Sequence, residues 1–73
     1  MVTLTKKNSF EEIDFTFGTI EQAKRAIFDA VKEDACIAGH ESEVKQEIDS
    51  MNVGDTYGPQ DWDAECDMVY ELS

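Results

Sequence analysis

The spacing of apolar residues along this chain changes period twice, and that limits the folds open to it more than any other feature. Val2 and Leu4 alternate with Thr3 and Thr5, and Ile13, Phe15 and Phe17 alternate with Glu12, Asp14 and Thr16. This is the two-residue period of half-buried strands. From Ile20 the period lengthens: Ile20, Ala23, Ile27, Ala30, Val31 and Ala35 form one helical stripe, with Phe28 at its edge. Val44, Ile48 and Met51 repeat that spacing on a shorter, more charged segment. The two-residue period returns in DAECDMVYEL, residues 63–72, where Ala64, Cys66, Met68, Tyr70 and Leu72 alternate with Asp63, Glu65, Asp67, Val69 and Glu71.

The residues between these blocks mark where each element starts and stops. The polar KNS after Lys6 reads as a turn joining two strands, although it lacks an Asn-Gly signal. Gly18 breaks the second strand, and Thr19 with Gln22 three residues later has capping-box spacing. Asn52 and Gly54 stop the second helix, and VGDTYG, residues 53–58, reads as a short strand before the Gly58-Pro59 turn. The predicted order is ββααββ. Each element has one apolar side to bury, so the expected fold is α+β, an antiparallel sheet of three to four strands with both helices on one face. A chain of 73 residues has room for one small domain, residues 1–73.

Charge is the second constraint. Seventeen acids against six Lys and Arg give a formal net charge of −11. Residues 46–73 hold eight acids and no base, and residues 1–45 hold nine acids and six bases, so −8 and −3 make up the total. Such a chain repels nucleic acid and anionic lipid, and its natural partners are basic surfaces or cations. MVTLTKKNSF has no apolar leader region and no run approaches bilayer-spanning length, so a cytoplasmic protein is expected.

No motif for catalysis, metal or cofactor stands out, and none is expected. In DWDAECD the acids fall at alternate positions from Asp61, but a calcium loop needs Gly at its sixth position and Glu at its twelfth, where this chain has Cys66 and Leu72. Cys36, His40 and Cys66 lack zinc-site spacing, and the two thiols read as small packed residues. The four glycines sit at turns and helix ends rather than in a phosphate loop.

The acids of the last alternating stretch are a different matter. If Met68, Tyr70 and Leu72 face the helices, then Asp63, Glu65, Asp67 and Glu71 project outward about 6.6 Å apart. Neighbouring carboxylates at that distance repel by about 0.6 kcal/mol in water-like dielectric, which is tolerable but stabilises nothing locally. The expected partner-binding residues are therefore Glu12, Asp14, Asp61, Asp63, Glu65, Asp67 and Glu71. Trp62, set between acids, is the expected aromatic anchor.

In size, acidity and α+β organisation, and most specifically in DWDAECDMVYEL, the chain resembles the small acidic phage-encoded inhibitors of bacterial defence, the anti-CRISPR and DNA-mimic anti-restriction proteins. The resemblance implies a stoichiometric inhibitor, active in the host cytoplasm, that fills a basic groove otherwise occupied by nucleic acid. The alternative is a small structural or regulatory module that binds a protein partner through apolar contacts, its acidity serving solubility.

Overall fold

The computed structural model describes residues 1–34, 37–58 and 67–73. They form an α+β fold: β1 (Val2–Lys7), β2 (Glu12–Phe17), α1 (Ile20–Asp34), α2 (Glu41–Asp49), β3 (Thr56–Tyr57) and β4 (Val69–Leu72). The strands make one antiparallel sheet in the order β2-β1-β4-β3, with β1 and β4 at its centre.

Local chemistry explains each junction. In the β1–β2 hairpin the Asn8 carboxamide does the work of an Asn-Gly turn: its Oδ1 accepts the N–H groups of Phe10 and Glu11, each at 2.8 Å. α1 starts as its cap predicts. Thr19 Oγ1 accepts the Gln22 N–H at 3.3 Å, and the Gln22 side chain reaches back to the Gly18 N–H at 3.2 Å. The turn before β3 needs Gly54 at φ +100°, and from there the Gly54 N–H donates to the Leu72 carbonyl at 2.7 Å.

Register decides which residues are buried. Cross-strand partners share a face, and the pairs Val2↔Phe17, Leu4↔Phe15, Leu4↔Leu72, Lys6↔Tyr70 and Tyr57↔Tyr70 put the apolar sets on one side. There Leu4, Leu72, Tyr70 and Tyr57 pack against Ala23, Ile27 and Val31 of α1 and Val44 and Ile48 of α2, with Ile37 and Met51 closing the core. Sliding β4 by one residue would replace Tyr70 and Leu72 with Val69 and Glu71, which is what fixes its register.

Two expectations need correction. The last strand begins at Val69 rather than at residue 63: Asp67 and Met68 precede it in irregular chain, and 63–66 lie outside the described residues. β1 ends at Lys7, opposite Val69, and the hairpin turn follows, so β1 offers a longer β4 no further partner. Ile13 and Phe15, expected on a buried face, are 40% and 44% exposed. They sit on the edge strand, beyond most of the cover that the two helices provide.

Candidate acidic sheet face and open strand edge

The face of the sheet turned away from the helices carries Thr3, Thr5 and Lys7 of β1, Glu12, Asp14 and Thr16 of β2, Thr56 of β3, and Val69 and Glu71 of β4. None of these residues is buried. Its acids line up across the strands rather than along one of them. Asp14 and Glu71 both stand opposite Thr5, one on each side, so about 10 Å separates their strands. Glu12 lies two residues from Asp14 along β2, opposite Lys7.

Two polar contacts organise this face. The Thr5 hydroxyl donates to Asp14 Oδ1 at 2.8 Å, and Lys7 Nζ lies 3.5 Å from Glu71 Oε2 with both side chains well solvated. Lys7 is the one cation on the face among the described residues. It is set against three carboxylates, so the face keeps a net negative charge.

Of the residues expected to bind a partner, Glu12, Asp14 and Glu71 are brought together here. Asp67 lies exposed at the margin, where its Oδ2 accepts the Ser9 hydroxyl at 3.2 Å. It is therefore part of a loop contact and not of a strand row with Glu71. Asp61, Trp62, Asp63 and Glu65 lie outside the described residues, as do Cys36 and Cys66. Tyr57 and Tyr70 are both buried in the core, where they cannot serve as exposed aromatic anchors. Among the described residues no three His, Cys, Asp or Glu side chains converge as a metal site would require. His40 precedes α2 with Nδ1 at 3.5 Å from Glu43 Oε2. No helix of the described residues is long and apolar enough to cross a membrane.

Two features have no counterpart in the sequence reading. A cleft of about 200 Å³ opens between α1 and the β1–β2 side of the sheet, lined by Leu4, Phe15, Phe17, Ala26, Ala30 and Tyr70, together with Lys6. It is apolar because two alanines of α1 face aromatic rings and leave space where larger side chains would fill it. On the same hairpin, Ile13 and the turn residue Phe10, 92% exposed, add further exposed apolar surface. A second groove of about 640 Å³ runs between α1 and α2, and four of the six cations, Lys24, Arg25, Lys32 and Lys45, line it alongside Glu21, Asp29 and Asp49. Lys24 Nζ there donates to the Asp49 carbonyl at 2.7 Å, and Lys32 Nζ sits 5.1 Å from the Phe28 ring centre. The groove draws its cations from two helices, Lys24, Arg25 and Lys32 from α1 and Lys45 from α2, and the cleft depends on which strand takes the edge, so neither is written in local spacing.

Comparison of this chain with protein families, with curated proteins and with solved structures finds no match.

Proposed function

We propose that this protein is a stoichiometric binding protein whose acidic sheet face docks on the basic surface of a nucleic-acid-binding protein, taking the place of nucleic acid in the manner of anti-CRISPR and anti-restriction inhibitors. One observation carries the reading: a sheet face left uncovered by helices, holding Glu12, Asp14 and Glu71 around a single Lys7, with Asp67 exposed at its margin. An uncovered antiparallel face needs polar side chains, but threonine meets that need without charge. Three carboxylates in its place add self-repulsion to a chain already at −11 and offer complementarity to a partner. In the sequence, Asp61, Asp63 and Glu65 continue the acidic character, and Trp62 among them is the aromatic anchor of this proposal. The protein acts by occupancy, without catalysis and without a cofactor, in the cytoplasm where its target works.

The test is affinity capture from host lysate at low salt, with elution by duplex DNA and in parallel by raised salt. Captured proteins should be nucleic-acid binders that DNA displaces, and the Glu12→Lys/Asp14→Lys variant should capture none of them. Partners retained at high salt and by that variant would refute the reading.

A second reading has its own observation. Phe10, Ile13 and Phe15 expose apolar surface at one edge of the sheet, which suits a protein-interaction module using apolar contacts. Binding of that kind responds weakly to salt.

A further inference from the structure

We infer that the free edge of β2 is a docking site for an extended segment of a basic partner, added to the sheet as a fifth strand. For the partner's positive charge alone, this rests on the function proposed above.

The backbone geometry specifies which groups are free. The Asn8 N–H donates to the Glu11 carbonyl at 2.9 Å, which makes that pair a hydrogen-bonded one. Bonded and non-bonded pairs alternate in an antiparallel ladder, so Ile13, Phe15 and Phe17 exchange backbone bonds with β1. Thr3 exchanges bonds with Ser73 on the opposite side of β1, at 2.8 and 2.9 Å, as that alternation requires. Glu12, Asp14 and Thr16 consequently aim their N–H and C=O groups outward, and no described strand pairs with them.

Edge strands are usually blunted by charged side chains, proline, a bulge, an inward charge or a very short length. β2 has only the first of these, the outward acids Glu12 and Asp14, which repel an acidic strand and not a basic one: its six residues pair with β1 in unbroken register and carry no proline or glycine. Its inner face offers Ile13 and Phe15 beside the apolar cleft against Ala26 and Ala30, and its outer face offers Glu12 and Asp14. An incoming strand whose residues alternate apolar with Lys or Arg fits both faces at once. Its apolar side chains pair with Ile13 and Phe15, and its cations stand beside Glu12 and Asp14.

A second copy of this chain fits badly. Same-face pairing centred on Asp14 puts that carboxylate opposite itself, and pairing centred on Ile13 puts Glu12 opposite Asp14 twice. Pairing centred on Phe15 avoids direct contact but still joins two chains of −11 each. The acids that deter self-pairing are those that select a basic strand.

The test is a titration of the isotope-labelled full chain with a heptapeptide alternating lysine and valine, read by amide hydrogen exchange. The amides of Glu12, Asp14 and Thr16 should become protected, and a glutamate–valine peptide should leave them unchanged. Thr16→Pro, which removes one outward N–H and no ladder bond, should weaken the lysine–valine peptide at least tenfold, while Thr16→Val should bind as wild type. Unchanged exchange at saturating peptide, or equal affinity for Thr16→Pro, overturns the inference. Protection that rises with protein concentration in the absence of peptide also overturns it, by naming a second copy as occupant. Each of these results leaves the acidic-face reading standing, because that reading is tested by salt and charge reversal with no recourse to β2 backbone groups.

Discussion

The difference between the two apolar sites that flank Leu4, Leu72 in the core and Phe15 on the edge, can be measured by truncating each to alanine. Leu72 is fully buried and pairs with Leu4 from the β4 side, and Phe15 pairs with the same Leu4 from the β2 side but is 44% exposed. Leu72→Ala removes buried methyl groups and leaves a cavity, a change that costs about 2–5 kcal/mol. A domain of this size has only ~4–11 kcal/mol of total stability, so the variant sits near the unfolding threshold. For Phe15, a little over half of a burial worth roughly 1.5–3 kcal/mol is realised, which gives a loss of roughly 0.8–1.7 kcal/mol and no enclosed cavity. Urea unfolding followed by far-ultraviolet circular dichroism would resolve the two, and each kcal/mol should also lower Tm by about 4–8 °C. If Phe15→Ala destabilised as much as Leu72→Ala, the inner face of β2 would be core, and neither the cleft nor the open edge would exist as described.

Other expectations follow from single contacts. Thr19→Ala removes the α1 cap and should cost about 1 kcal/mol, with faster hydrogen exchange at the Gln22 amide as the local sign. Gly54→Ala meets no atom within 4 Å yet forces a side chain to φ +100°, so it should lower stability by about 1–3 kcal/mol through backbone strain alone. Gly58→Ala, at an ordinary φ and with its nearest neighbours 3.9 Å away, should change stability far less. Raising salt from ~0.01 to ~0.15 M shortens the screening length from about 30 to about 8 Å, so Tm should rise as the repulsion within a chain of −11 is damped.

The helices were legible because their signals are local. Thr19 and Gln22 cap within one turn, and the stripe of Ala23, Ile27 and Val31 needs no distant partner to reveal its period. The facing of the strands was legible for the same reason, and Tyr70 and Leu72 point inward as their alternation requires. A period tells which face a residue takes and not which strand lies beside it. The acidic face was therefore expected as a row along the last strand, whereas Asp14 and Glu71 line up across Thr5 from different strands. The same blindness to neighbours hid the edge position of β2, and with it the exposure of Ile13 and Phe15. The start of β4 at Val69 was set by where β1 stops, which alternation alone does not encode.

The claim that Glu12, Asp14 and Glu71 form a surface for a basic partner has one direct test. It is the salt dependence of affinity for the captured partner, measured on the wild type and on Glu12→Lys/Asp14→Lys, with circular dichroism confirming that both are folded. The account predicts that wild-type affinity falls steeply as salt rises and that the double variant binds at least a hundredfold more weakly at low salt. Affinity that ignores salt and survives both substitutions would contradict it.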